Sequence, residues 1–194
     1  PELEAFLQRL GRGRRLIRYD ERGTGLSQRD ITNRTHGALV SDLAAVADSA
    51  GLDRFSLWAS TLSGPRAIAY AAQHPERVER LVLYGTLTNP GVVFAGGAAA
   101  AYASLARIDW KMWSRAFIEI SCNRKYPAQV DGLSDMLFQS TTGENAAATI
   151  VEGSADADVT AIATTLTMPV FVAHGTEDQI VQPQHGYDLA ALIP

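Results

Sequence analysis

The segment "FSLWASTLSGPRAIAYAAQHPERV", residues 55–78, constrains the fold more than any other part of the chain. It begins as a short apolar strand, crosses a run of small residues and continues as a helix with apolar residues three and four positions apart. A strand that turns into a helix over so few residues needs small side chains on both sides of the turn. The segment therefore predicts a sharp strand–turn–helix with Thr61 at its tip.

The same alternation of strand and helix patterns extends over most of the chain. Apolar runs predict strands at 15–20, 55–59, 80–86 and 168–175, and apolar periodicity predicts helices at 2–10, 36–50, 62–74 and 184–192. The connections between these strands are long enough for helical crossovers, which join parallel strands. The pattern therefore predicts an α/β fold with a parallel, doubly wound sheet.

Residues 89–157 interrupt this alternation, because they contain no convincing strand pattern. Their apolar periodicity predicts four helical stretches, at about 96–107, 109–121, 127–139 and 144–152. We therefore predict a helical cap insertion over residues 89–157. Residues 1–88 and 158–194 are predicted to form a partial α/β core around it.

Several short motifs, taken together, resemble those of the α/β-hydrolase family. They are "YDERGTGLS" at 19–27, "HPERV" at 74–78, "MPVFVAHGTEDQIVQP" at 168–183 and "LAALIP" at 189–194. Three stretches are also similar to the hydrolase-like domains fused to LuxR-type regulators and class III nucleotide cyclases: "YDERGTGLS", "SGP" at 63–65 and "LVLYGT" at 81–86. The resemblance implies an incomplete sheet of the α/β-hydrolase type and a function related to esterases, which hydrolyse carboxylic esters. It also implies that this chain, which begins without Met, is truncated at both ends.

The resemblance places the nucleophile position at Thr61, when the register is counted from the "HPERV" motif. Enzymes of this family use a nucleophile, an acid and a histidine in that chain order, with the nucleophile in a Gly-x-Ser-x-Gly turn. Ala59 and Ser63 are the small flanking residues, and the backbone N–H of Leu62 would supply one oxyanion donor. This chain therefore departs from the family pattern at the nucleophile itself, where it has Thr61 in place of serine.

Threonine is a poor replacement for serine at this position. The elbow nucleophile normally has a positive φ, which is most costly for a β-branched residue. Its hydroxyl is a secondary alcohol, and the extra methyl group crowds the approach to a carbonyl. Two interpretations of Thr61 stay open, a weak nucleophile and a buried hydroxyl at the start of a helix.

Asp178 matches the acid position of the family, after the strand that ends near His174. Its neighbour Glu177 is the alternative, and a carboxylate that caps a helix N-terminus is the other interpretation of Asp178. The four histidines are His36, His74, His174 and His185. None stands where the family places its catalytic histidine, since His185 follows the acid by only seven residues and opens a helix. The triad is therefore predicted to be incomplete in this chain.

A different interpretation of residues 14–28 is a dinucleotide-binding turn, because Gly23-x-Gly25 follows a predicted strand. The third glycine of that fingerprint is absent, since Ser27 and Gln28 stand near its place. No acid-ended second strand follows at the expected offset of about 20 residues. The hydrolase interpretation is favoured.

Composition excludes several classes of partner. Seventeen Lys and Arg against 21 Asp and Glu give a net charge of −4, which disfavours nucleic acid and anionic membranes. Cys122 is the single cysteine, so no intrachain disulfide forms and a reducing cytoplasm is expected. No ligand spacing for a metal is seen, and no cofactor is expected. The expected partners are a small apolar ester-like ligand and further copies of the chain that complete exposed sheet edges.

Three functions are compatible with these features. The favoured one is an α/β-hydrolase-fold protein related to carboxylic ester hydrolases and catalytically impaired by Thr61 and the absent histidine. The alternatives are a non-catalytic ligand-sensing or regulatory domain and an excerpt of an active hydrolase.

Overall fold

The computed structural model describes residues 2–93, 97–122 and 126–194. Residues 94–96 and 123–125, which belong to the predicted insertion, lie outside the described residues. Three parallel strands, β1 (Phe55–Ser60), β2 (Val78–Tyr84) and β3 (Val170–Ala173), form a sheet in the order β1-β2-β3. Helices pack against this sheet, so the predicted α/β class with a parallel sheet is confirmed.

The helices lie close to the predicted bounds. They are α1 (Glu2–Leu10), α2 (His36–Ser49), α3 (Gly64–Gln73), α4 (Gly97–Ile108), α5 (Trp110–Ser121), α6 (Pro127–Ser140), α7 (Gly143–Ala155), α8 (Thr160–Ala163) and α9 (Pro183–Leu192). Local chemistry explains the ends of α2: the Thr35 side chain accepts a hydrogen bond from the Ala38 N–H, and Gly51, with a φ of 63°, follows the last turn.

One face of the sheet forms the main hydrophobic core. Alternate residues of the strands, including Ala59, Leu81 and Leu83, point to this face and are buried. They pack against Ile68 of α3 and Leu189 of α9, which are also buried. The core therefore fixes α3, and with it the turn between β1 and α3.

A second hydrophobic cluster joins the helices between β2 and β3. Trp113 lies at its centre, with ring centroids 5.1 Å from Trp110, 5.0 Å from Phe117 and 5.5 Å from Tyr102. Ala147 and other residues of α4 and α7 complete the cluster. These aromatic side chains hold the inserted helices together and are used mainly for packing.

The predicted strand at 15–20 is not formed. These residues have no secondary structure, and the Arg15 guanidinium donates to the Ala50 carbonyl instead. A strand is defined by hydrogen bonds to a neighbour, and β1 pairs with β2 alone among the described residues. The apolar run was recognisable in the sequence, whereas the ladder partner it needs was not.

The opposite face of the sheet is open. Trp58, Val82 and Phe171 lie side by side in register across the three strands. Trp58 is 41% exposed and contacts Phe6 of α1, and Phe171 is 64% exposed. Parallel sheets are usually covered on both faces, so this exposed apolar row is unusual.

Among the described residues, the helices are too short or too polar for one to cross a membrane.

His36, the first residue of α2, is buried where α2 meets the end of α7. Its backbone N–H donates to the Asp156 carboxylate at 3.2 Å, and its Nε2 has no hydrogen-bond partner among the described residues. Burial lowers the pKa of His36, and the nearby Arg66 guanidinium lowers it further. The folded protein therefore holds this imidazole neutral.

We predict that the protein loses stability as the pH falls from 7 to 5, and that His36 contributes to this loss. The unfolded chain binds a proton at His36 near pH 6.5, whereas the folded protein does so only at lower pH, so acid favours unfolding. Denaturant unfolding of His36→Gln over this range should show a weaker pH dependence. His185→Gln is the matched control and should retain the wild-type slope; an unchanged slope in His36→Gln would contradict the prediction.

Candidate active site

The turn from β1 into α3 has the geometry of a nucleophile elbow. Residues Thr61–Ser63 form a single 3₁₀ turn between the end of β1 and Gly64, the first residue of α3. Thr61 has a φ of 49°, and no other described non-glycine residue has a positive φ. Such a conformation costs about 1–3 kcal/mol and persists only where the surroundings impose it.

Hydrogen bonds close the turn from within. The Ser60 N–H donates to Ser63 Oγ at 2.9 Å, and the Ser63 hydroxyl donates to the Ser60 carbonyl at 2.7 Å. Leu62 is the second residue of the 3₁₀ turn, where N–H groups have no acceptor within the helix. The Leu62 N–H therefore has no acceptor within the helix, as the role of oxyanion donor requires. The resemblance assigns that role to it.

Thr86, just after β2, packs directly against the elbow. Its hydroxyl donates to the Thr61 carbonyl at 2.5 Å. A Cβ at position 64 would overlap the Thr86 hydroxyl and lie 2.7 Å from the Thr86 Cβ, so only glycine fits there. The sequence analysis did not identify Thr86, because its place after a strand carries no catalytic motif.

Asp178 lies at the same edge of the sheet, in the loop between β3 and α9. Its Oδ1 accepts hydrogen bonds from the N–H groups of Ile180 and Val181, both at 2.9 Å. Its Oδ2 lies 3.7 Å from His174 Nε2 and 3.3 Å from where a Cβ of Gly85 would stand. One oxygen thus caps a loop turn, while the other faces the end of β2. Helix α9 begins only at Pro183, so this carboxylate does not cap that helix.

The elbow and the acid loop meet at the two residues that follow β2. Thr86 contacts the elbow, and Gly85 borders the carboxylate of Asp178. Both predicted positions, Thr61 and Asp178, therefore lie at the carboxyl edge of the sheet, where open α/β sheets bind their ligands. Their roles in catalysis stay predictions.

No described hydrogen bond or ion pair joins a histidine to Thr61. His174 Nε2 lies 2.7 Å from the Val181 carbonyl, and its Nδ1 is buried, 2.5 Å from where a Cβ of Gly186 would stand. The His74 ring packs against the Tyr70 ring with centroids 4.7 Å apart and an interplanar angle of 41°. These contacts give His174 and His74 structural roles.

The glycine-rich loop after residue 20 binds to the inserted helices. The Gly25 N–H donates to the Ser140 carbonyl at 2.6 Å, and Asn145 Nδ2 donates to the Gly23 carbonyl at 3.2 Å. Gly25 has a φ of 52°, and a Cβ there would overlap the Asp20 carboxylate. The glycines therefore serve close packing, and their backbone groups are not free to cradle a phosphate. Asn145 was not foreseen, since a lone Asn in a helix gives no signal of such a contact.

Ion pairs fix this loop to the core. Arg66 of α3 is buried and pairs with Glu21, and Arg22 binds both carboxylate oxygens of Asp42 at 2.6 Å. The hydrogen bonds to Asp42 raise the pKa of Arg22. A bidentate pair is both stronger and more directional than a single contact. Arg22 thus helps to hold the structure of the loop.

Two grooves among the described residues lie away from the elbow. One of about 480 Å³ lies between α2 and α3, and includes Asp48 and His74. Another of about 380 Å³ lies between α5 and α6, and includes Met112 and Phe138. Neither is lined by Thr61 or Asp178.

No group of three or more His, Cys, Asp or Glu side chains in the described parts of the chain is placed to hold a metal.

Comparison with known proteins gives consistent matches. The sequence profile of the family described as "Serine aminopeptidase, S33" matches residues 4–194. The 2-hydroxymuconate semialdehyde hydrolase of Pseudomonas putida is 27% identical over 190 residues, which cover 93% of this chain and 66% of that protein. The proline iminopeptidase of Xylella fastidiosa is 34% identical over 73 residues, 37% of this chain and 23% of that protein. The chain thus spans less than two thirds of these curated relatives.

A solved structure extends the match to the fold. The crystal structure of the enol-lactonase from Burkholderia xenovorans LB400 aligns with a TM-score of 0.82 at 26% sequence identity. The alignment covers 95% of this chain and 71% of that one. The partial three-stranded sheet and its helices therefore have the architecture of a larger known fold.

We predict that Thr61→Gly stabilises the protein. Glycine adopts a positive φ without strain, so the free energy of unfolding should rise by about 1 kcal/mol. Thr164→Gly is the control, because Thr164 has a φ of −71° at the end of α8 and should lose stability instead. Denaturant unfolding measures both. A loss of stability in Thr61→Gly equal to that of the control would show that Thr61 is unstrained.

Proposed function

Because this chain belongs to the serine aminopeptidase S33 family of α/β-hydrolases, we propose that it is related to carboxylic ester hydrolases and is itself catalytically impaired. The observation that carries the proposal is the left-handed backbone of Thr61 at the strand–helix turn. That conformation presents a side chain at the carboxyl edge of the sheet, where Asp178 also lies. The enol-lactonase among the structural relatives supports an ester or lactone as the class of ligand.

The chemistry available at Thr61 is incomplete. In an ester hydrolase, a hydroxyl attacks the carbonyl carbon, a base removes its proton, and backbone N–H groups stabilise the oxyanion. The Leu62 N–H would serve as one such donor. A threonine hydroxyl still needs a base, and neither His174 nor His74 bonds to it. We infer that an ester can bind at this edge without efficient turnover.

The inserted helices would act as a cap over this edge. Residues 89–157 separate β2 from β3, the two strands that lead to Thr86 and to Asp178. The contacts of Asn145 and Ser140 with the glycine-rich loop support a fixed position for the cap beside that loop. The expected ligand is a small apolar ester.

A ligand-sensing domain is the second candidate. The elbow keeps its geometry although its hydroxyl has no histidine partner among the described residues, which favours binding over turnover. Hydrolase-like domains fused to LuxR-type regulators or class III nucleotide cyclases would be its counterparts.

We propose a cytoplasmic location, supported by a sequence with a single cysteine, Cys122.

We predict that the purified chain hydrolyses p-nitrophenyl acetate no faster than Thr61→Ala. Thr61→Ser should show no gain, because the serine hydroxyl would also lack a base. Initial rates measured side by side, with the three proteins at equal concentration, test this. Clear wild-type turnover that Thr61→Ala abolishes would overturn the proposed impairment, and turnover gained by Thr61→Ser would place the whole defect at residue 61.

We also propose that a second copy of this chain covers the open sheet face. The strands direct Trp58, Val82, Tyr84 and Phe171 to this face. Two copies that meet face to face remove this exposed apolar row from water.

We predict a dimer in solution, and its loss in Phe171→Asp. Phe171 is 64% exposed on the open face, and a carboxylate there would be desolvated in the dimer. Tyr187→Asp is the matched control, because Tyr187 is 68% exposed on α9 and should leave the dimer intact. Size-exclusion chromatography with light scattering gives the masses. A monomeric wild-type protein, or equal effects of both substitutions, would contradict this interface.

A further inference from the structure

Thr86 forms a hydrogen bond with the backbone carbonyl of Thr61, the residue with the left-handed backbone. It is 1% exposed, and its hydroxyl donates to the Thr61 carbonyl at 2.5 Å. The same carbonyl accepts a hydrogen bond from the Gly64 N–H. Two donors, one at the start of α3 and one just after β2, therefore fix the peptide group that follows the positive φ of Thr61.

Position 64 is a glycine, and its lack of a side chain makes the contact between Thr86 and the elbow possible. A Cβ there would overlap the Thr86 hydroxyl, so glycine lets α3 start in contact with Thr86. A buried hydroxyl needs only some acceptor, and any nearby carbonyl would satisfy it. The acceptor used by Thr86 belongs to the one described non-glycine residue with a positive φ.

Gly85 borders the other half of the site. Its N–H donates to the Ala173 carbonyl at 2.9 Å, which joins the end of β2 to the end of β3. Its φ is 54°, and a Cβ there would lie 3.3 Å from Asp178 Oδ2. A larger residue would therefore strain the backbone and press on the carboxylate.

We propose that Gly85 and Thr86 are positioning residues that together fix the elbow at Thr61 and the carboxylate at Asp178. Thr86 imposes the backbone conformation of Thr61, and Gly85 leaves room for Asp178 beside the end of β2. Adjacent residues of one chain segment thus set the placement of both positions. The catalytic meaning of those positions rests on the proposed function, whereas the geometry of the two contacts does not.

Replacement of the Thr86 hydroxyl tests the first contact. Thr86→Val has nearly the same shape and no donor, so Thr61 should leave its left-handed conformation. In NMR spectra of the full chain, the strong intraresidue NOE between the amide and α protons of Thr61, expected for a positive φ, should be lost. Thr86→Ser keeps the donor and should retain the NOE. Thr88→Val, which removes a hydroxyl bonded to Thr160 instead, is the control and should also retain it.

Several outcomes decide this part of the proposal. A persistent NOE in folded Thr86→Val, or loss of the NOE in Thr86→Ser and Thr88→Val as well, would overturn the role of the hydroxyl. If Thr86→Val fails to fold, Thr86→Ala removes the same donor without added bulk, and the same loss of the NOE is expected. The NOE reports the backbone whatever the outcome of the ester assay, so the proposed function can fail while this contact stands.

Gly85→Ala tests the second contact. The added methyl group should displace the Asp178 carboxylate and shift the amide resonances of Ile180 and Val181, which bond to its Oδ1. Thr86→Val should leave these two resonances in place, because Thr86 acts on the elbow. Gly51→Ala is the control for a positive φ alone, since nothing lies within 4 Å of a Cβ at Gly51. Unshifted Ile180 and Val181 resonances in Gly85→Ala would overturn the role of Gly85.

Discussion

The left-handed backbone of Thr61, where β1 becomes α3, is the constraint on which the site depends. Helix α3 supplies Ile68 to the main core, so its position is fixed by burial. Strand β1 is fixed by its ladder with β2. One 3₁₀ turn must join two elements whose places are already set, and the strain falls on Thr61. The glycine at position 64 leaves room for the hydroxyl of Thr86, which binds the Thr61 carbonyl and holds Thr61 in this conformation.

Much of the fold could be predicted because it follows from local patterns. The helices α4–α7 came from apolar periodicity alone, and the register of the elbow came from counting back from residues 74–78. The predicted strand at 15–20 failed for a different reason. Its residues have the composition of a strand, but pairing depends on a neighbour that a local pattern does not reveal.

The named positions of the candidate site stay predictions, whereas the contacts that support them could not be predicted from the sequence. Thr61 and Asp178 could be assigned by resemblance to a family motif. Thr86 and Asn145 could not, because each acts through a contact between segments far apart in sequence: Thr86 with residue 61, and Asn145 with residue 23. The role of a buried hydroxyl or amide can be recognised only when the fold shows which acceptor lies near it. The glycines at 23 and 25 were visible as loop residues, but their close packing on α6 and α7 was not.

The elbow persists for reasons that are independent of catalysis. Its flanking residues, the glycine that opens α3 and the Thr86 contact are tied to the packing of α3 on the sheet. Relaxation of Thr61 to a negative φ would have to move that helix or break that hydrogen bond. A mutation from serine to threonine would therefore change the nucleophile and leave the turn in place. The distinction between an active hydrolase and a binding domain therefore depends on whether a base reaches the Thr61 hydroxyl.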